Sequence, residues 1–135
     1  MPINIAKVGM VKFSIKITIP PIKTAVAIGI ITKFAIKNNK GEWVLMNGNQ
    51  TAVLAFTYMM EARKAKGLAQ ANDMVVKTIV TTDMINEVAK QNNVACYDVL
   101  TGFKWIAELI KEKEGKENYV IGGEESFGMM IGDQV

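Results

Sequence analysis

Two carboxylates and a hydroxyl stand between glycines near the end of the chain. They are Glu124, Glu125 and Ser126, framed by Gly122-Gly123 on one side and Gly128 on the other. Glycine permits positive φ and close approach of a ligand to the backbone. Carboxylates repel phosphate but accept charge-assisted hydrogen bonds from hydroxyls. The segment therefore predicts a loop that binds a diol, such as neighbouring hydroxyls of a sugar ring; a solvated acidic turn is the alternative.

Two other joints carry polar groups and follow predicted strands. One is Thr101-Gly102, and the other is residues 81–83 (Thr-Thr-Asp). If the strands are parallel, their carboxyl ends meet at one edge of the sheet, which is where open α/β sheets bind ligands. We therefore expect both joints beside the glycine-rich loop. The alternative is an ordinary helix N-cap at Thr101, and likewise at Thr81 or Thr82.

Residues that are missing or rare exclude several kinds of chemistry. The 135 residues include no histidine and one cysteine, Cys96. This excludes a Ser-His-Asp or Cys-His mechanism within this sequence and a zinc site of the usual Cys/His kind. Glu124 and Glu125 are candidates for a general acid and base, but neighbours along an extended loop point in opposite directions. A lone cysteine cannot form an internal disulfide. The absence of such a bond is typical of proteins of the reducing cytoplasm.

The charge distribution argues against nucleic acid and membrane partners. Residues 1–40 hold seven lysines and no acidic residue, whereas the remainder holds 16 − 7 = 9 basic and 13 acidic residues. The mildly acidic remainder does not favour nucleic acid. The longest uncharged run near the start covers residues 24–32, which is well short of the roughly 20 residues that span a bilayer.

The hydrophobic pattern predicts the elements that must position these joints. Strict alternation over residues 11–19 predicts a strand, and a second strand over 24–37 is joined through the turn residues 38–41 to a short strand at 42–46. Helices and strands then alternate. The predicted strands cover residues 75–80, 95–100 and 119–121. The first predicted helix follows residues 47–49 and ends near Gly67. The second helix follows Thr82 or Asp83, and the third follows Thr101 and ends near Gly115.

Within those helices and strands, apolar spacing predicts the core. The first helix is expected to bury Ala52, Val53, Phe56, Met59 and Met60; the second Met84, Ile85 and Val88; the third Phe103, Ile106, Ala107 and Ile110. Alternating strands and helices with short joints predict an α/β fold. We expect a mixed, largely parallel sheet flanked by helices, with an N-terminal β-hairpin region.

Several motifs together resemble a known family. They are LTGFK at 100–104, GEESFG at 123–128 and GD at 132–133, with NGNQ at 47–50 and VKTIVTT at 76–82. In this combination they resemble the third domain of the alpha-D-phosphohexomutases, most closely the bacterial phosphoglucomutase/phosphomannomutase branch. The resemblance runs from about residue 34 to residue 135. It implies a phosphoglucomutase domain III-like fold.

The resemblance also implies an activity and a role for each motif. Members interconvert hexose 1-phosphate and hexose 6-phosphate through a glucose 1,6-bisphosphate-type intermediate, using a phosphoserine and Mg²⁺ held by other domains. Carried over to this sequence, Glu124 and Ser126 match positions that bind the O3 and O4 hydroxyls. Thr101 and Gly102 match the neighbouring loop of the cleft, and these two residues and Glu125, within the binding loop, are also expected to bind the substrate.

The first 33 residues depart from the family pattern. An aspartate-rich metal loop is expected just before residue 34, but residues 25–33 contain no carboxylate. We therefore expect residues 1–33 to be of another origin and residues 34–135 to form the sugar-binding domain. The phosphoserine and metal loops are absent from this sequence, so the isolated chain is expected to be inactive and to depend on the missing domains of the parent enzyme. The alternatives are a stand-alone sugar-phosphate-binding module and an α/β scaffold without a site.

Overall fold

A computed structural model describes the backbone of residues 28–31 and residues 34–132 throughout. The strand predicted at 11–19 lies outside the described residues. The segment predicted as one strand at 24–37 divides, in its described part, into β1 (Ile28–Ile31) and β2 (Ala35–Lys37), which belong to different sheets. The prediction of one continuous strand is therefore wrong.

The predicted hairpin is confirmed. β2 pairs antiparallel with β3 (Trp43–Leu45) as a separate two-stranded sheet. Asn38 closes the turn, because its Oδ1 accepts hydrogen bonds from the backbone amides of Lys40 and Glu42. Gly41 adopts φ of 80°, a value that favours glycine.

The remaining elements alternate as predicted up to the sixth strand, whereas the last strand follows it without a helix between them and was not predicted. They are α1 (Gly48–Ala65), β4 (Asp73–Thr78), α2 (Met84–Gln91), β5 (Ala95–Val99), α3 (Phe103–Lys113), β6 (Asn118–Gly123) and β7 (Gly128–Ile131). A capping box between Asn47 and Gln50 fixes the start of α1. Gly67 follows its end with φ of 69°, as expected for a residue just beyond a helix. None of the described helices is both long and apolar enough to cross a membrane.

One five-stranded mixed sheet carries the fold. Its strand order is β1-β7-β6-β4-β5, in which β4 is parallel to β5 and β6, whereas β7 is antiparallel to β6 and β1. Right-handed crossovers place α2 and α3 on opposite faces, and α1 packs beside α2. The expected α/β class, with a mixed sheet flanked by helices, is confirmed, although only two of the four described strand pairings in this sheet are parallel.

The core lies between the sheet and the α1–α2 layer. All six residues of β4 are buried, which is typical of a central strand covered on both faces. The buried cluster consists of Ala52, Phe56, Met59, Met60, Val75, Ile85, Ala89, Val120, Ile121 and Met129. The predicted core face of α1 is confirmed, except that Val53 is only partly buried.

Three details of the predicted elements are wrong. Ile79 and Val80 lie beyond the end of β4 and are more than half exposed, because the chain turns back there with a hydrogen bond from the Thr81 amide to the Thr78 carbonyl. Met84, expected in the core, stands at the first position of α2 and is 59% exposed. Ala107 is exposed as well, since Ile106 is the fully buried residue of α3.

Candidate functional site

Three joints meet at one edge of the sheet, as the topology predicts. They follow β4 (residues 79–83), follow β5 (residues 100–102) and connect β6 to β7 (residues 124–127); we call the last of these the acidic loop. Backbone amides join them directly. The Gly102 amide donates to Glu124 Oε1 at 2.6 Å, and the Glu125 amide donates to Thr81 Oγ1 at 3.1 Å. The acidic loop is therefore held by both neighbouring joints.

Glu124 is almost buried, with 7% of its surface exposed. Its Oε1 accepts from the Gly102 amide, and its Oε2 accepts from the Ser126 hydroxyl at 3.2 Å. The Glu124 amide closes the loop by donating to the Gly128 carbonyl at 2.9 Å. A carboxylate offers about four acceptor positions, so about two stay open after these bonds. The group is thus fixed at both oxygens, and its two bonds do not use up its acceptor capacity.

Gly102 presents its amide to Glu124 from an unusual backbone conformation. Its φ is 119°, which a residue with a side chain rarely adopts. Gly102 is also the N-cap residue of α3 and makes no side-chain cap. The prediction that Thr101 caps this helix is therefore wrong. Thr101 is exposed at the edge, one residue before the amide that holds Glu124.

Glu125 points away from Glu124, toward the joint after β4. Its carboxylate lies 3.3 Å from the Thr81 hydroxyl, which also exchanges a 2.8 Å hydrogen bond with the hydroxyl of Thr78. Glu125 is half-buried and Ser126 is exposed. The two carboxylates therefore contact different joints, and the arrangement does not place them on one reacting atom.

A buried lysine, which the sequence pattern did not single out, lies beneath the site. Lys77 has no exposed surface; its Nζ lies 2.8 Å from Asp98 and 3.2 Å from Asp83, and donates to the Thr81 carbonyl at 3.1 Å. Burial alone would lower the pKa of Lys77, but hydrogen bonds and charge from Asp98 and Asp83 outweigh it and the pKa is raised. The sequence carried one sign of this buried lysine, since Lys77 directly follows Val75-Val76 inside an apolar strand.

The same lysine explains why the predicted cap of α2 is only partly correct. Asp83 stands at the N-cap position but makes no side-chain cap, since its carboxylate pairs with Lys77. The Thr82 hydroxyl accepts instead from the Met84 amide at 3.3 Å. The joint after β4 is therefore shaped by the ion pairs as well as by local capping.

The glycines of the motif serve packing rather than unusual backbone angles, so the expectation of positive φ at Gly122, Gly123 and Gly128 is wrong. All three lie in strands. A Cβ at Gly128 would lie 2.5 Å from the Phe103 ring, and one at Gly123 would lie 2.5 Å from Met129 Sδ. The left-handed conformation falls instead on Phe127, whose φ is 72°.

The described residues do not fit a bound Mg²⁺. Among residues 34–132 there is no group of three or more Asp, Glu, Cys or His side chains that could hold a metal ion. The two aspartates nearest the site, Asp83 and Asp98, both pair with Lys77. Mg²⁺ demands near-octahedral oxygen coordination, and the Lys77 ammonium between these two carboxylates offsets one of their two charges and would repel a cation.

Comparison with known proteins gives consistent matches. Residues 47–135 match the family described as phosphoglucomutase/phosphomannomutase, alpha/beta/alpha domain III. A phosphoglucomutase from Staphylococcus aureus strain USA300 is 29% identical over 96 residues, which cover 71% of this chain and 17% of that protein. Phosphoglucomutases from strains NCTC 8325 / PS 47 and COL are similar to the same extent. The chain thus spans about a sixth of the length of these curated relatives.

Proposed function

Because the chain belongs to the phosphoglucomutase/phosphomannomutase branch of the alpha-D-phosphohexomutase family, as its domain III, we propose that it recognises the sugar in a phosphohexomutase. Such an enzyme interconverts hexose 1-phosphate and hexose 6-phosphate. The observation that supports this most is the Glu124 carboxylate, held at the carboxyl edge of the sheet by the Gly102 amide. Its open acceptor positions suit hydroxyl donors.

In this proposal Glu124 and Ser126 bind the vicinal O3 and O4 hydroxyls of the hexose. A carboxylate that is already fixed loses little conformational entropy when a ligand arrives. Ser126 is exposed and its hydroxyl can rotate toward a ring oxygen. Thr101 and Gly102 form the adjacent wall, and Glu125 supports the loop through Thr81.

Binding through these hydroxyls suits an intermediate that must turn around. A hexose 1,6-bisphosphate has to present first one phosphate and then the other to the same reacting group. Hydroxyls at C3 and C4 occupy similar places in both orientations, so one carboxylate can hold both. Positioning of this kind lowers the barrier by converting a bimolecular step into an effectively unimolecular one.

The rest of the reaction is proposed to depend on other domains of the parent protein. A phosphoserine and a Mg²⁺ ion would be supplied there, and residues 34–135 would form the sugar-binding domain while residues 1–33 have another origin. We expect no turnover of glucose 1-phosphate by this polypeptide alone. Sugar phosphates as ligands and a single unpaired cysteine suggest a cytoplasmic parent enzyme.

NMR titration of the ¹⁵N-labelled chain with glucose 1,6-bisphosphate tests the proposal. We expect shifts concentrated at the amides of residues 124–128 and at the Gly102 amide, which bonds directly to Glu124. A domain that contributes part of a cleft should bind with a dissociation constant on the order of millimolar. Tight binding would instead favour a stand-alone sugar-phosphate-binding module.

Matched variants separate the proposal from a scaffold without a site. Glu124→Gln should remove most of the shift, because a neutral amide accepts weaker hydrogen bonds than a carboxylate. Glu108→Gln removes the same charge at an exposed position that pairs with Lys104 and has no hydrogen bond to the acidic loop, and should leave the titration unchanged. Equal titrations for both variants, or the same shifts with inorganic phosphate, would contradict hydroxyl recognition by Glu124.

A further inference from the structure

The first turn of α1 lies against the acidic loop and the joint after β4. The Gly48 Cα packs on the carbonyl oxygen of Glu125 so closely that a Cβ at position 48 would overlap that oxygen. The Oδ1 of the next residue, Asn49, accepts a hydrogen bond from the Thr82 backbone amide at 2.9 Å. Two adjacent residues of one helix therefore contact two of the three joints that form the candidate site.

We propose that Gly48 and Asn49 are positioning residues that set where the acidic loop stands, and through it the position of Glu124. What the loop binds rests on the function proposed above. The positioning itself does not depend on any ligand. Neither residue touches the Glu124 carboxylate, so both would act through the loop and the joint that they contact.

The contacts form a closed ring. From Asn49 the ring runs to Thr82, then through Thr81 to the amide of Glu125 at 3.1 Å, and from the Glu125 carbonyl back to Gly48. A ring that returns to the same helical turn cannot shift at one joint without breaking a contact at another. The position of the loop is therefore set by α1 in addition to the loop's own hydrogen bonds and the bond from the Gly102 amide.

The helix that closes this ring is firmly anchored. α1 extends over 18 residues and contributes Ala52, Phe56, Met59 and Met60 to the buried cluster. Its start is fixed independently by the capping box between Asn47 and Gln50. Because Glu124 directly precedes Glu125, a displacement of the Glu125 backbone would also move Glu124 relative to the Gly102 amide.

A purely local explanation of these residues makes the opposite prediction. Alanine forms helices better than glycine, so helix propensity alone predicts that Gly48→Ala stabilises α1. The contact with the Glu125 carbonyl predicts instead that the added methyl group displaces the acidic loop. The variant Gly48→Ala, which adds one methyl group, therefore distinguishes the two explanations.

Amide hydrogen exchange on the chain without ligand tests the positioning. The reporters are the amides of Glu125 and Gly102, neither of which bonds to Gly48 or Asn49. We expect Asn49→Ala to speed their exchange about fivefold relative to amides of β4, which is the factor produced by losing one net hydrogen bond. Gly48→Ala should have at least that effect.

Two further variants serve as controls. Asn49→Asp keeps an oxygen that can accept from the Thr82 amide, and should restore slow exchange. Gln50→Ala removes the side-chain acceptor of the Asn47 amide but keeps the bond from the backbone amide of residue 50 to Asn47 Oδ1, and should speed exchange of the Asn47 amide alone. A merely structural role of Asn49 would raise exchange across the whole fold by one common factor. That result would overturn the proposal. Equal exchange rates of the reporter amides in Asn49→Ala and Gln50→Ala would overturn it as well. Since Asn49→Ala alone decides both comparisons, the proposal stays testable even if Gly48→Ala fails to fold.

A titration with glucose 1,6-bisphosphate separates this inference from the proposed function. If the loop binds the sugar, Asn49→Ala should weaken binding several-fold and Asn49→Asp should restore it. No response of the wild-type chain to the bisphosphate would reject the proposed function. The exchange results would still decide the positioning role, because they are measured without any ligand.

Discussion

Replacing Lys77 by methionine tests how much the buried Lys77 ammonium beneath the candidate site contributes to the free energy of unfolding. The Lys77 side chain is 0% exposed, but those of its partners Asp98 and Asp83 are 43% and 88% exposed. When the ammonium is removed, water can hydrate both carboxylates. The large penalty for stranding a charge in the interior therefore does not arise at this position.

The expected loss comes mainly from one carbonyl group. Thr81, which is 2% exposed, loses the Lys77 donor to its carbonyl oxygen, and a buried acceptor without a partner costs about 1–3 kcal/mol. Methionine is similar in length to the lysine stem and fills the space. We therefore expect Lys77→Met to lower the free energy of unfolding by about 1–3 kcal/mol.

Arg63 provides the matched comparison. It pairs with Asp73 at 3.2 Å, and here both side chains are buried, at 5% and 3% exposed. Arg63→Met would leave the Asp73 carboxylate in the interior without its cation, which typically costs about 3–5 kcal/mol. The two substitutions by methionine differ in how exposed the remaining carboxylates are. Because Asp73 is buried and the partners of Lys77 are not, Arg63→Met should lower the free energy of unfolding more than Lys77→Met.

The pH dependence supplies a second test with a defined sign. The folded-state pKa of Lys77 is raised above its ordinary value of 10.5. Its contribution to stability is therefore complete below that ordinary value and is lost as pH rises through the folded pKa. A hydrogen bond to Glu117 also raises the pKa of Lys113, and burial raises that of Tyr119, so wild type loses stability at high pH for several reasons. The difference between wild type and Lys77→Met isolates Lys77.

Urea unfolding followed by tryptophan fluorescence from pH 7 to 11 measures both effects. The stability difference between wild type and Lys77→Met should be constant from pH 7 to about 10 and should narrow above it. The reasoning is refuted if Lys77→Met costs as much as Arg63→Met at pH 7. It is equally refuted if the difference widens with rising pH.

Three further changes test the packing and chemistry around the same edge. Thr51→Val should raise the free energy of unfolding by about 1 kcal/mol in urea, because the buried Thr51 hydroxyl has no hydrogen-bond partner among the described residues; a loss of stability would reveal a partner. Gly128→Ala should cost about 1–3 kcal/mol in thermal unfolding, and Phe103→Leu in the same chain should recover part of it, since the Phe103 ring is the group a methyl would meet. Burial, with Asp98 nearby, raises the pKa of Cys96 to about 11, so alkylation by iodoacetamide should be slow at pH 8 and accelerate toward pH 11; a rate equal to that of the unfolded chain would contradict this.

The order of elements could be predicted because it depends on local signals. Turn residues close the hairpin, Asn47 and Gln50 mark the start of α1, and strand-helix alternation places three joints at one edge. The end of β4 could not be predicted in the same way. Ile79-Val80 looks like strand in any local window, but the Thr78–Thr81 turn beneath the Lys77 ion pairs ends the strand two residues earlier.

The contacts that shape the site join residues far apart in the chain, and no local pattern encodes them. Glu124 and Gly102 are 22 residues apart, and Thr81 and Glu125 are 44 apart. The residue types Gly, Glu and Ser nevertheless singled out a segment that the fold brings to the edge where the three joints meet. Sequence could therefore single out the acidic loop and the opposite directions of its two carboxylates, but not the joint that each carboxylate contacts.

The glycines around the acidic loop do not have the positive φ that was expected, and this changes how the site is expected to work. Glycines that supply positive φ would suggest a flexible loop that closes on its ligand. Here Gly123 and Gly128 lie in paired strands and allow Met129 and Phe103 to pack against the backbone, while Glu124 is held at both oxygens. A loop packed this closely has little freedom to move, so its carboxylate is positioned before any ligand arrives. Recognition of a sugar at this edge would then depend on a fixed acceptor, and substitutions that loosen its packing should weaken binding even where they leave Glu124 itself unchanged.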